Sequence, residues 1–190
     1  MPLLAAEPNV YPADLFDLGA EAVAAESHWW VLHTRPRQEK ALARQLLEHR
    51  VPFYLPTIAK RLRIKGRNLT SHVPLFPGYA FMMADREQRV AALTTNRIFH
   101  TLPVTNQNAL WNDLRQISHL ITTGAAITPE DRLAPGDIVE ITSGPLTGLK
   151  GKILRTATGQ RFVVEVDFIQ RGASVMLDDS CLTASREQFA

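Results

Sequence analysis

The chain is 190 residues long, 45% hydrophobic and 21% charged, with a formal net charge of +2 and one cysteine. That length suits one comfortable domain or two small ones, and the composition is that of a soluble globular protein. No apolar run approaches the roughly 20 residues of a membrane helix, Met1–Ala6 is a poor signal peptide for want of a basic residue, and lone Cys181 excludes an internal disulfide framework, so a cytoplasmic protein with no membrane partner is expected.

The small net charge conceals an asymmetry. Residues 1–27 carry Glu7, Asp14, Asp17, Glu21 and Glu26 with no lysine or arginine. Residues 28–125 carry three lysines and eleven arginines against five acidic groups, a balance of +9, and residues 126–190 come to −2. A basic, arginine-rich middle block fits a polyanion partner, most naturally nucleic acid, with plain surface charge as the alternative.

In chain order, residues 1–27 hold three prolines and no apolar period, and read as a flexible leader in which Leu15-Phe16-Asp17-Leu18 could make a helical turn. Trp29–Thr34 is aromatic and β-branched, hence a strand. Thr34 is then positioned to cap a helix with Pro36 in its first turn, its apolar stripe at Leu42 and Leu46. Phe53–Pro56 is extended. Lys60–Arg67 alternates Leu62 and Ile64 with Arg61, Arg63 and Lys65, which suits a ribbon hairpin turning near Gly66.

Pro74-Leu-Phe-Pro-Gly-Tyr-Ala-Phe-Met-Met83 follows. Pro77-Gly78 is a turn dipeptide, and Tyr79, Phe81 and Met83 then alternate with Ala80 and Met82 as a strand with two aromatics on one face. That face is either core or an apolar docking surface. Asp85 caps a short helix with Val90 and Leu93 inward, Ile98–Val104 is a strand, and a helix from Asn106 keeps Leu110, Leu114, Ile117 and Ile121 at helical spacing until Gly124.

This order describes an α+β domain, an antiparallel sheet with helices, over residues 28–121. Residues 122–132 read as a linker, and residues 133–185 as a small all-β barrel of about five strands. Its expected strands are 138–141, 152–156, 161–167, 173–177 and a short last one near Cys181–Thr183, with turns at Gly159-Gln160 and Arg171-Gly172. No catalytic constellation is evident: the six histidines lack metal-ligand spacing, no Gly-x-Ser-x-Gly elbow occurs, and Lys150-Gly151 is not a phosphate loop. A non-enzyme without cofactor or metal is expected.

Pro135–Ile153 resembles the KOW motif, with Gly136, Asp137, Val139, Ile141, Gly144, Pro145, Gly148 and Gly151 at its positions. Together with Trp29-Trp30-Val31-Leu32, Arg37-x-Glu39-Lys40 and Pro74–Met82, it makes Trp29 to Thr183 resemble the NusG family of transcription elongation factors. Thr34–Arg37, Leu75-Phe76 and the short interdomain distance look closer to specialised RfaH-like antiterminator paralogues. The resemblance implies a monomer whose amino-terminal domain binds the clamp helices of the largest RNA polymerase subunit through His33, Phe76, Pro77, Gly78, Tyr79 and Phe81. It further implies that Arg35, Arg37, Lys40 and Arg97 face non-template DNA, with Arg61, Arg63, Lys65 and Arg67 as further nucleic-acid contacts. A KOW barrel would recruit Rho or a ribosomal protein, here as a stable β unit rather than a refolding switch. A ribosome-associated or RNA-binding KOW protein is the alternative.

Overall fold

The computed structural model of the chain describes residues 8–17, 27–64, 67–132, 137–156, 159–177 and 184–186. It comprises two units, Met1–Trp111 and Asn112–Ala190.

The first unit is built on a five-stranded antiparallel sheet in the order β1-β3-β6-β2-β7. These strands are β1 (Val10–Tyr11), β2 (His28–Thr34), β3 (Phe53–Tyr54), β6 (Tyr79–Ala84) and β7 (Ile98–Pro103). Both faces of β2 are buried at Val31 and Leu32, which its aromatic and β-branched sequence tolerates. On one face Leu32, Phe53, Ala80 and Met82 pack with Leu42, Ala43 and Leu46 of α1 (Glu39–Glu48) and Ala92 of α2 (Arg86–Thr94). Register assigns Trp29, Val31, His33, Tyr54, Tyr79, Phe81 and Met83 to the other face.

Helix α1 starts later than the sequence suggests. Thr34 is the last residue of β2 rather than a cap, and Gln38 occupies the N-cap with no side-chain hydrogen bond. Pro36 disfavours helical backbone at Arg35, and Arg37 takes φ 61°, so the helix cannot begin before them. Helix α2 has the expected Asp85 cap, completed by Gln88 into a reciprocal capping box. Its inward face differs: Val90 and Leu93 are 53% and 41% exposed. The helix instead turns Ala92 inward and sets the Arg89 guanidinium 4.4 Å from the Trp30 ring centroid.

Strands β4 (Thr57–Ile64) and β5 (Arg67–Pro74) form a separate antiparallel ribbon whose innermost pair is Ile64 with Arg67. The expected hairpin is present, and its tip, Lys65-Gly66, lies outside the described residues. At the other end of the first unit, residues 10–11, within the stretch read as a leader, pair with Phe53 and Tyr54.

Helix α3 (Gln107–Thr122) spans the boundary between the units and buries Leu110, Leu114, Ile117 and Leu120. The second unit's strands form one antiparallel sheet in the order β13-β9-β10-β11-β12-β8. They are β8 (Thr128–Glu130), β9 (Asp137–Ile141), β10 (Lys150–Thr156), β11 (Gly159–Val166), β12 (Arg171–Met176) and β13 (Ala184–Arg186). Val139, Ile141, Phe162, Val164 and Val175 are buried in its core.

Two details depart from expectation. Residues 128–130, inside the stretch read as a linker, pair with Ser174, Ala173 and Gly172, and the Ser174 hydroxyl lies 2.6 Å from Glu130 Oε1. A backbone ladder on a sheet edge needs no apolar period, so this strand has no local signature. The reversal before β12 uses the short turn Asp167–Ile169 and left-handed Gln170 (φ 52°), while Arg171-Gly172 belong to the strand. The expected last strand at Cys181–Thr183 lies outside the described residues, and β13 follows it.

Candidate partner-docking site

The turn that launches β6 is fixed from three sides. The Gly78 amide donates to Glu39 Oε1 at 2.8 Å, and the Gly78 carbonyl accepts from the Thr34 amide at 2.8 Å. The Tyr79 amide donates to the Phe76 carbonyl at 3.1 Å. Gly78 takes φ 85°, a backbone conformation that suits glycine, and an added Cβ would stand 3.7 Å from the His33 ring. The turn thus joins the end of β2, the start of α1 and the start of β6.

This geometry gathers an aromatic cluster at one end of the sheet. His33 is opposite both Tyr79 and His100 in the register. Its ring stacks on Tyr79 at 5.4 Å and meets Phe99 edge-on at 5.7 Å, and Phe99 in turn lies 4.4 Å from the His100 ring. A register irregularity between His33 and Thr34 accompanies the shift that leaves Phe99 62% exposed. Phe99 and His100 carry no local sequence signal of a docking role. The sequence shows only a strand there, and Phe99 falls at the irregularity, between the His33–His100 and Thr34–Ile98 pairs.

The expected polymerase-binding residues therefore divide. His33, Gly78 and Tyr79 are half-buried at the surface, and Pro77 is exposed. Phe76 and Phe81 are interior, at 1% and 0% exposure, with their rings edge-on at 6.5 Å. Phe81 stands on the central strand β6, on the same face as Tyr79, and its ring meets Phe76, so in this structure neither ring is presented to solvent.

The arginines divide too. Arg35 and Arg37 are exposed and Lys40 is half-buried, and the Arg35 guanidinium donates to Asn96 Oδ1 at 3.0 Å. Arg97 is committed internally: Nε donates to Gln45 Oε1 at 2.7 Å and Nη1 to Gln38 Oε1, tying the start of β7 to α1. On the ribbon, Arg61 pairs with Thr70 and Arg63 with Asn68, so both arginines share one face and both are exposed. Lys65 lies outside the described residues, as does the Arg67 side chain.

In the second unit the expected glycine loop is closed by its own backbone. The Ile141 amide donates to Leu149 O and the Gly148 amide to Ile141 O, at 3.0 and 2.8 Å, while Gly144 and Gly148 both take φ 83°. Pro145 is exposed, and Val139 and Ile141 point into the core. At Gly151 an added Cβ would approach Val163 O to 2.3 Å, so strand β10 can lie against β11 there only without a side chain. Gly136 and the Asp137 side chain lie outside the described residues. Among the described residues no group of three or more His, Cys, Asp or Glu could hold a metal ion, and no helix is long and apolar enough to cross a membrane.

A comparison with solved structures finds Thermotoga maritima NusG, from a study of its domain interaction, at 19% identity and a TM-score of 0.47, covering 85% of this chain and 98% of that one. The comparison with curated proteins gives no match. A family model described as NusG, transcription termination factor nusG, matches residues 27–129. That match takes in β2 to β7, α1 to α3 and the turn at Gly78, and the chain belongs to the NusG family of transcription factors.

Proposed function

We propose that this chain is an elongation and antitermination factor that docks on RNA polymerase through the sheet end carrying His33, Pro77, Gly78, Tyr79 and Phe99. Family membership supports polymerase as the partner, and the exposed aromatic cluster is the observation that carries the location. Rigid aromatic anchors contribute large contact area at little entropic cost, which is why a few of them dominate interfaces. The fitting partner is the clamp-helix coiled coil of the largest subunit, whose amphipathic surface such a face accepts.

No bond is made or broken in this role. The factor favours the elongating polymerase over the paused one by binding it better, and a differential of about 1.4 kcal/mol shifts that balance tenfold. Exposed Arg35 and Arg37, with Arg61 and Arg63 on the ribbon, suit phosphate contact to non-template DNA. The second unit, as a KOW-type module, recruits Rho or a ribosomal protein, and the specialised RfaH-like character belongs to the same reading.

The test is Tyr79→Ala combined with Phe99→Ala, both at the surface, measured for affinity to purified core RNA polymerase. A loss of more than tenfold in a variant with unchanged circular dichroism is expected. Unaltered affinity would overturn the docking assignment.

A further inference from the structure

The aromatic face does not end at the exposed cluster. Following β2 away from His33, the same face continues through Val31 to Trp29, paired with Phe81 and Met83 of β6. Beyond β6 lies Tyr54 of β3, opposite Phe81. Over this part of the face lies the chain's own amino-terminal segment. The Phe16 ring is stacked with Trp29 at 6.4 Å and 7°, and meets Tyr54 edge-on at 4.9 Å and 85°. Trp29 and Tyr54 stand on the two strands that flank β6. A ring touching both therefore spans β6 at the level of Phe81 and Met83. Leu15 beside it is 1% exposed.

The segment's tether to the sheet is slight. Strand β1 is two residues long and sits on the sheet's edge, pairing only with β3. The Leu55 amide donates to Asn9 O at 2.6 Å, and among the described residues the backbone bonds within 12–17 are local, Leu15 to Pro12 and Asp17 to Asp14. Asp14 and Asp17 face solvent, and residues 8–17 contain no basic residue although they lie on the most basic block of the chain. Apolar side chains supply the seat and few backbone bonds hold it, which is the pattern of an element that opens locally before the domain unfolds.

We propose that residues 8–17 form a displaceable strap, an intramolecular occupant of the inner part of the docking face, which an amphipathic helix of the polymerase must lift to engage Trp29 and Tyr54. This rests on the docking reading above and adds its regulation. A strap that occupies the face part of the time reduces the apparent affinity by the fraction of molecules in which the face is open, and weakening it restores that affinity. The exposed cluster at His33, Tyr79 and Phe99 then serves as the first contact, with the strapped portion engaged after it.

The experiment compares the full chain with its Phe16→Ala variant for binding to purified core RNA polymerase, with Tyr79→Ala made in both backgrounds. Phe16→Ala is expected to tighten binding at least fivefold, and Tyr79→Ala to weaken it in either. In the unaltered chain, saturating polymerase should accelerate hydrogen exchange at the amides of residues 10–17. Equal or weaker binding by folded Phe16→Ala, with Tyr79→Ala still damaging, overturns the strap and leaves the docking site standing. Indifference of polymerase binding to Tyr79→Ala overturns the docking site and the strap with it. If Phe16→Ala fails to fold, the exchange measurement on the unaltered chain decides, and unchanged protection of residues 10–17 overturns the strap.

Discussion

The Glu39 carboxylate, at the first residue of α1, accepts a 2.8 Å hydrogen bond from the Gly78 amide, 39 residues away in sequence. Glu39 is buried, so this bond links the helix to the turn that presents Tyr79. An acidic group at a helix start also complements the positive end of the helix dipole. Glu39→Ala leaves the Gly78 amide without its acceptor in a desolvated place and is expected to destabilise the first unit by about 1–3 kcal/mol. Glu39→Gln keeps an acceptor oxygen and should recover part of that. Urea unfolding of the three proteins checks the order, and equal midpoints would refute it.

Gly151→Ala should be among the most damaging single changes in the second unit. Its Cβ would meet Val163 O at 2.3 Å and the Phe162 ring at 2.8 Å, and neither the strand backbone nor a ring in the core can retreat cheaply. A loss of more than about 2 kcal/mol is expected from such overpacking and ladder disruption. Gly148→Ala is the comparison: nothing lies within 4 Å of its Cβ, so its cost is confined to the strain of φ 83°. Thermal unfolding followed in the second unit should rank the first variant well below the second.

Asp113 gives the second unit a pH signature. Its carboxylate accepts from the Asp167 amide at 3.1 Å. Burial pushes its pKa up to about 6, the bond from Asp167 pulls it back, and the nearby Asp167 and Glu165 carboxylates add to the rise. The folded state therefore holds a proton that the unfolded chain, at an ordinary 3.8, has already released. By linkage, stability falls as pH rises from about 4 through about 6 and levels off above that. Asp113→Asn should flatten this slope and raise the urea midpoint at neutral pH. An unchanged slope in the variant would count against the assignment.

The arginines should separate into two kinds. Arg97→Ala removes the bonds to Gln45 and Gln38, with an expected cost of about 1–2 kcal/mol in stability. Arg61→Ala with Arg63→Ala touches only exposed groups and should leave stability within about 0.5 kcal/mol. If the ribbon meets a single strand through both guanidinium groups, the double variant should lower the salt slope of binding by about 1.4. Titration with a single-stranded oligonucleotide at several salt concentrations reads it.

By itself the sequence determined the types and order of most elements, β1 and β8 excepted, because these follow from local periodicity and turn chemistry. The β2 strand, the Asp85 cap, the α1 stripe at Leu42 and Leu46, and the turn at Pro77-Gly78 are all set by neighbours within a few residues. The sequence also pointed to the face of Tyr79 and Phe81 as the candidate site. Tertiary structure alone decided which of those rings meets solvent, since burial depends on what the rest of the chain lays over a face. Strand alternation treats Tyr79 and Phe81 alike, yet on that shared face one lies at the rim beside His33 and the other, farther along the strand, is fully covered. It likewise decided that Phe99 turns outward at a register irregularity, that Arg97 bonds to two glutamines, and that Phe16, far upstream in the chain, lies against Trp29 and Tyr54. Those contacts join residues far apart in sequence, where no local pattern carries the information.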